Sequence, residues 1–151
     1  MAAATDDVFV VVKPAGRALS KAIVDSMAGH GFTVVRRAWH TLSSDDAEIL
    51  YPYVFEQLRD RSSRVPGPYW ANHVRYLGSA TSLLAVVRHP EDGAHARMRE
   101  LKGASPYSDR CAPGTIRYDF PGPSVFNSFH SCDEAAESAA MQRHFRLTAD
   151  S

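Results

Sequence analysis

DVFVVVKP, Asp7–Pro14, sets five consecutive β-branched or aromatic residues between an acid and a Lys-Pro stop. A short apolar run with no polar alternation predicts a central strand covered on both faces. Downstream, RALSKAIVDSMAGHG (Arg17–Gly31) carries Leu19, Ile23, Val24 and Met27 at helical spacing, with Gly31 as its stop. FTVVRRAWHTL (Phe32–Leu42) predicts a second strand, and SLLAVVRHP (Ser82–Pro90) a third. Between them, SSDDAEILYPYVFEQLRD (Ser43–Asp60) opens with serines and acids, a good helix start, and Pro52 should kink or break that helix. RSSRVPGP (Arg61–Pro68) predicts a loop and YWANHVRYL (Tyr69–Leu77) a short helix. EDGAHARMRELKGA (Glu91–Ala104) predicts a helix ending near Gly103, SVFNSFH (Ser124–His130) a fourth strand, and DEAAESAAMQRHF (Asp133–Phe145) the last helix. The order β-α-β-αα-β-α-β-α predicts an α+β fold over residues 1–151: one ferredoxin-like α/β sandwich, its four-stranded antiparallel sheet flanked by helices.

Composition excludes several classes. The chain has 17 basic and 17 acidic residues and 44% apolar content. A balanced charge argues against bulk binding to nucleic acid or an anionic membrane, although a local basic cluster could still hold a small phosphate. RDRSSR (Arg59–Arg64) is most simply a solvated loop. No apolar run approaches the length of a membrane span, and MAAATDD lacks the basic and apolar regions of a signal peptide. Cys111 and Cys132 make neither a disulfide framework nor a regular zinc spacing. The expectation is a reduced, cytoplasmic protein. A metal site at His130 and Cys132 would need two more ligands, and Cys111 and His144 are irregularly spaced for that role.

The long punctuated segment SPYSDRCAPGTIRYDFPGP (Ser105–Pro123) predicts a functional loop, and it runs at once into a strand ending in a histidine. APGTIRYDF (Ala112–Phe120), then NSFHSCD (Asn127–Asp133), then ESA (Glu137–Ala139) resembles the nucleoside diphosphate kinase family. That family's pattern is P-G-T-I-R-G-D-F, then N-x-x-H-G-S-D, then a helix bearing E-S-A. The first strand ending in Lys13-Pro14, and GHGFTVV (Gly29–Val35), fit the same family, so the resemblance covers nearly the whole chain.

The resemblance implies ping-pong phosphoryl transfer from a nucleoside triphosphate such as ATP to a nucleoside diphosphate. His130 would be the phosphohistidine nucleophile, and a neutral imidazole suits that role near pH 7. Lys13, Arg99 and Arg117 would hold phosphate oxygens, with the Ser105 hydroxyl beside them. Asn127 would contact the sugar, Tyr51 would stand beside the nucleophile, and Tyr69 would stack on the base. Asp133 would lie near the Mg2+ that accompanies the nucleotide. The family assembles as tetramers or hexamers, so a homo-oligomer is implied. Two alternatives stand beside this reading: a specialised phosphotransferase with another acceptor, and a catalytically weak nucleotide-binding interaction module.

Departures crowd the motif. Ser131 and Cys132 replace glycine and serine after the histidine, Tyr118 replaces the glycine after the loop arginine, and Val125-Phe126 replaces Gly-Arg. The loop between Tyr51 and Tyr69 is longer than the family's. The glutamate that orients the family's histidine aligns with Gln142, or with its neighbour if a small insertion shifts the register by one, so Gln142→Glu, or the neighbouring change, is expected to speed phosphorylation of His130.

Overall fold

The computed structural model of the protein describes residues 6–52, 67–122 and 127–149. Strand β1 (Val8–Val12) is the predicted central strand, and none of its five residues is more than 1% exposed. Its side chains alternate between two cores. Val8, Val10 and Val12 pack with Ile23 and Met27 of α1 (Ser20–Gly29) and with Ala94, Met98 and Leu101 of α4 (Ala94–Lys102). Phe9 and Val11 pack with Ala47 and Leu50 of α2 (Ser44–Leu50), Tyr76 and Leu77 of α3 (Gly67–Leu77), and Met141 of α6 (Ala135–His144). Helices on both faces explain why β1 shows no polar alternation. At about 1.5–3 kcal/mol for each large apolar side chain removed from water, this strand dominates the stability of the sheet.

The sheet order is β2-β3-β1-β4, with β2 (Thr33–His40), β3 (Ser82–Arg88) and β4 (Phe129–Ser131). Every pairing is antiparallel, which is the predicted ferredoxin-like arrangement. The order makes β4 an edge strand, with Val11 opposite His130 and Val12 opposite Phe129.

Several boundaries differ from the sequence reading. A 3-10 turn (Pro14–Leu19) precedes α1, and Leu19 is 41% exposed rather than part of the helix's apolar face. Helix α2 ends at Leu50, before Pro52, because the residue preceding a proline is pushed out of helical geometry; Tyr51 has φ −129° and ψ 54°. Gly67 and Pro68 belong to α3, while the rest of RSSRVPGP lies outside the described residues. The long loop carries two short helical pieces, Ser108–Arg110 and α5 (Ile116–Asp119), the latter started by the Thr115 hydroxyl accepting from the Tyr118 amide. Strand β4 is three residues long rather than seven; Asn127 and Ser128 are not in it, and Ser124–Phe126 lie outside the described residues.

Asp46 ties three elements together. It closes a capping box with Ser43 at the start of α2: Asp46 N–H donates to Ser43 Oγ (3.0 Å), and Ser43 N–H donates to Asp46 Oδ2 (2.9 Å). The same carboxylate meets His40 Nε2 at 2.9 Å, from the end of β2, and His144 Nε2 at 2.8 Å, from the end of α6. Burial pushes its pKa up, but the Ser43 amide, His144 and His40 outweigh that and hold it down to about 2. A depressed carboxylate contributes stability above its unfolded pKa, and the contribution disappears as pH falls through the folded value. Asp46→Asn is therefore expected to cost about 2 kcal/mol at pH 7, and the difference from the native protein should shrink as pH falls from about 4 to 2. Urea unfolding of both proteins across that window checks it.

Candidate functional site

Because β4 is an edge strand, half of its backbone groups point away from the sheet. Ser128 C=O and Cys132 N–H face β1, where they bond Lys13 N–H (2.8 Å) and Phe9 C=O (3.0 Å). The carbonyls of Phe129 and Ser131 therefore face outward, and no strand among the described residues takes them. Two cations do. Arg117, on α5, donates from Nε (3.2 Å) and Nη2 (3.1 Å) to Phe129 C=O, and from Nη1 (3.1 Å) to Ser105 C=O. Lys102, the last residue of α4, donates from Nζ to Ser131 C=O (3.2 Å) and to Asp133 Oδ1 (3.0 Å).

His130 projects to the α2/α3 side of the sheet, the side of Val11 opposite it. Its ring lies 4.8 Å from that of Tyr51, which in turn meets His73 at 4.8 Å. Lys13 Nζ sits 5.0 Å from the Tyr51 ring centroid and donates to Asn127 Oδ1 at 2.8 Å. Three cations thus crowd the histidine, and all are buried: Lys13 at 2% exposure, Lys102 at 6% and Arg117 at 8%. Only Lys102 has a carboxylate partner among the described residues. Burial first, then the charges of Lys13, Lys102 and Arg117, hold the His130 pKa well below the ordinary histidine range, so the imidazole is neutral at pH 7. Burial, then Arg117 and Lys102, likewise depress Lys13. A neutral imidazole among buried, under-compensated cations is an arrangement completed by an anion.

The remaining expected residues fall around this centre. Asn127 is buried, with Oδ1 accepting from Lys13 Nζ and from Phe129 N–H (3.3 Å) and Nδ2 donating to Pro106 C=O (3.0 Å). Ser105 is half-buried, and its hydroxyl accepts from the Tyr107 amide at 3.1 Å. Arg99 is exposed and lines, with Lys102, Arg110, Arg117 and Asp133, a cavity of about 710 Å³. Of Tyr69 only the backbone is described, in the first turn of α3. Two residues that the sequence did not single out join the site. Lys102 reads as an ordinary basic residue in a last helical turn, where it complements the helix dipole; only the fold buries it. His73 packs on Tyr51, and burial, with Lys13 adding, pushes it down to about 4.

Gln142 is a correction. Its Oε1 accepts from Arg36 Nη2 at 3.1 Å, and Arg36 Nε donates to Leu147 C=O at 2.7 Å, so the amide anchors α6 to β2 instead of orienting His130. The charges that shift His130 are cationic throughout. A glutamate at 142 would strengthen the Arg36 contact and is not expected to speed phosphorylation.

The four residues of the competing metal reading do not converge. Burial, with Glu137 adding, pushes the Cys132 thiol up to about 12. Cys111 Sγ donates to Ser105 C=O at 3.2 Å, and His144 is committed to Asp46. Asp133 is half exposed and paired with Lys102, and the described residues contain no group of three ligands that could hold a metal ion. Among the described residues, Asp133 is therefore not part of a ligand set for a resident metal.

Behind β4, Ser138 is fully buried, and its Oγ accepts from Phe9 N–H at 3.0 Å, just past the last β1–β4 pair. His95 Nε2 meets the same hydroxyl at 2.7 Å, and His95 Nδ1 meets Asp6 Oδ1 at 2.7 Å. Asp6 is an acceptor only, so Nδ1 carries the proton and Nε2 accepts from Ser138. These bonds continue the ladder where β4 has turned away.

The fold and the site define a ferredoxin-like domain with a cation-flanked histidine on its edge strand. The family model for nucleoside diphosphate kinase matches residues 6–149, and the chain belongs to that family. It is 29% identical over 140 residues to a nucleoside diphosphate kinase of Mycobacterium avium, covering 91% of this chain and 93% of that one. A nucleoside diphosphate kinase of Mycobacterium tuberculosis is 28% identical over the same length. The crystal structure of the Aquifex aeolicus nucleoside diphosphate kinase shares the fold, with a TM-score of 0.72 at 22% identity, covering 92% of this chain and 93% of that one.

His73 generates a pH prediction. Its folded pKa is about 4, below an ordinary value of ~6.5, so as pH falls the unfolded chain takes up the proton first. Stability is then lost between about pH 6.5 and 4, by up to about 3 kcal/mol from this group. His73→Gln should flatten that part of the stability curve, as read by chemical unfolding at pH 7, 5.5 and 4.

Proposed function

We propose that the protein transfers the γ-phosphoryl group of a nucleoside triphosphate to a nucleoside diphosphate through His130. The observation that carries the reading is the neutral imidazole beside Lys13 and Arg117, two buried cations without a carboxylate among the described residues. A ring nitrogen lone pair attacks the γ-phosphorus, an N–P bond forms, and the bond to the β–γ bridging oxygen breaks, releasing the diphosphate. The acceptor's terminal β-phosphate oxygen then reverses the step. Little covalent chemistry is asked of the protein beyond positioning and charge stabilisation.

On this reading Lys13, Arg99, Arg117 and the Ser105 hydroxyl hold phosphate oxygens, and Tyr51 fixes the His130 ring. Asn127 aims Lys13 and keeps one amide hydrogen for the sugar. Tyr69 stacks on the base. Mg2+ belongs to the substrate as the nucleotide complex, since Asp133 is engaged by Lys102. The reading extends to a cytoplasmic homo-oligomer, a tetramer or hexamer, which light scattering would resolve.

Incubation with γ-labelled ATP should give an acid-labile, alkali-stable phosphoprotein that discharges to diphosphate acceptors. His130→Gln is expected to abolish labelling while nucleotide binding persists; a mutant that labels at the native yield overturns the assignment. Lys13→Met should slow labelling by about 10²-fold, the usual loss for one positioned donor. An unchanged rate would remove Lys13 from the site.

A further inference from the structure

We propose that Lys102 is a positioning residue of the His130 site: its ammonium closes the outer edge of β4 at Ser131 and pins Asp133 beside it, so that the strand carrying the imidazole holds one register and one aim. The inference rests on the phosphotransfer reading and extends it to a residue that the sequence motifs do not contain.

The geometry is specific. The imidazole sits between two outward carbonyls of a three-residue strand, Phe129 on one side and Ser131 on the other. Arg117 takes the first and Lys102 the second. Without Lys102, Ser131 C=O would be left without a partner among the described residues. An edge strand this short has little else to fix it. Burying an ammonium is costly, and Lys102 is only 6% exposed with a single carboxylate partner that is itself half exposed. The backbone holds the lysine there: Gly103, at φ +114°, ends α4 directly after it, and a Cβ on Gly103 would meet Cys111 Sγ at 2.7 Å. The ammonium also acts on the imidazole through space. The groups that face His130 are Lys13 from the end of β1, Tyr51 from the end of α2, His73 from α3, Lys102 from α4 and Arg117 from α5.

Two variants of the full chain separate this role from simple stability. Lys102→Met removes both the donor and the charge at similar length; Lys102→Arg restores both. Single-turnover labelling with γ-labelled ATP should fall by about 10-fold or more in Lys102→Met, while ADP affinity changes by less than about threefold. Lys102→Arg should recover to within about threefold of native labelling. The His130 ring titration, followed by NMR, should move upward in Lys102→Met and return in Lys102→Arg. Native labelling in Lys102→Met, or an unmoved His130 titration, overturns the proposal. So does a rate loss matched by lost ADP affinity. If the native protein does not label on His130, the phosphotransfer reading fails, and the NMR titration still decides the role of Lys102. Should Lys102→Met not fold, Lys102→Gln, which keeps one donor for Ser131 C=O and removes the charge, takes its place with the His130 titration as the criterion: an upward move supports the proposal and an unmoved titration overturns it.

Discussion

Two cations seated on the outward carbonyls of β4 hold the site together. An edge strand three residues long, paired on one side only, has few hydrogen bonds of its own, and the residue it must aim is a half-buried histidine. Arg117 and Lys102 replace the missing neighbour strand with side-chain donors. In doing so they place positive charge beside His130, which adds to burial in holding the imidazole pKa down. One set of contacts therefore serves as both mechanical support and electrostatic tuning. The arrangement costs stability, because Lys13 is buried near two like charges. An anionic ligand relieves that cost, so the site is least comfortable when empty.

The two cores beneath the sheet make such a centre tolerable. β1 is sealed on both sides by helices, and its large buried side chains supply stability that the edge does not. The Asp46 carboxylate, shared by His40, Ser43 and His144, joins β2, α2 and α6 on the face that carries His130. Tyr51 leaves α2 just after this clamp, and its ring reaches the imidazole from a fixed base.

Sequence reading recovered what depends on local pattern. Val8–Val12 reads as a doubly covered strand because both faces are apolar, and Pro52 ends α2 by sterics that act on its neighbour alone. The motif around His130 was legible because several separated stretches fall in one order. What the sequence hid depends on tertiary placement. Lys102 looks like any helix-ending lysine until α4 packs beside β4. Gln142 aligned with an orienting glutamate, but Arg36 reaches it across the sheet, and nothing in the sequence around Gln142 announces that arginine. The shortness of β4 was likewise invisible: Asn127 and Ser128 adjoin it in the stretch that reads as strand, yet lie outside it.

Asp6, His95 and Ser138 stand carboxylate to Nδ1 and Nε2 to hydroxyl, at 2.7 Å each, as a serine hydrolase would set its nucleophile. Ser138 has no solvent exposure, and its oxygen already accepts the Phe9 amide. No ester or peptide carbonyl has a path to it. The same three residue types that elsewhere cleave bonds act here as a strut between β1 and α6. A search by constellation alone would place this chain among hydrolases. Access and lone-pair occupancy, rather than the triad, separate an attacking serine from a structural one.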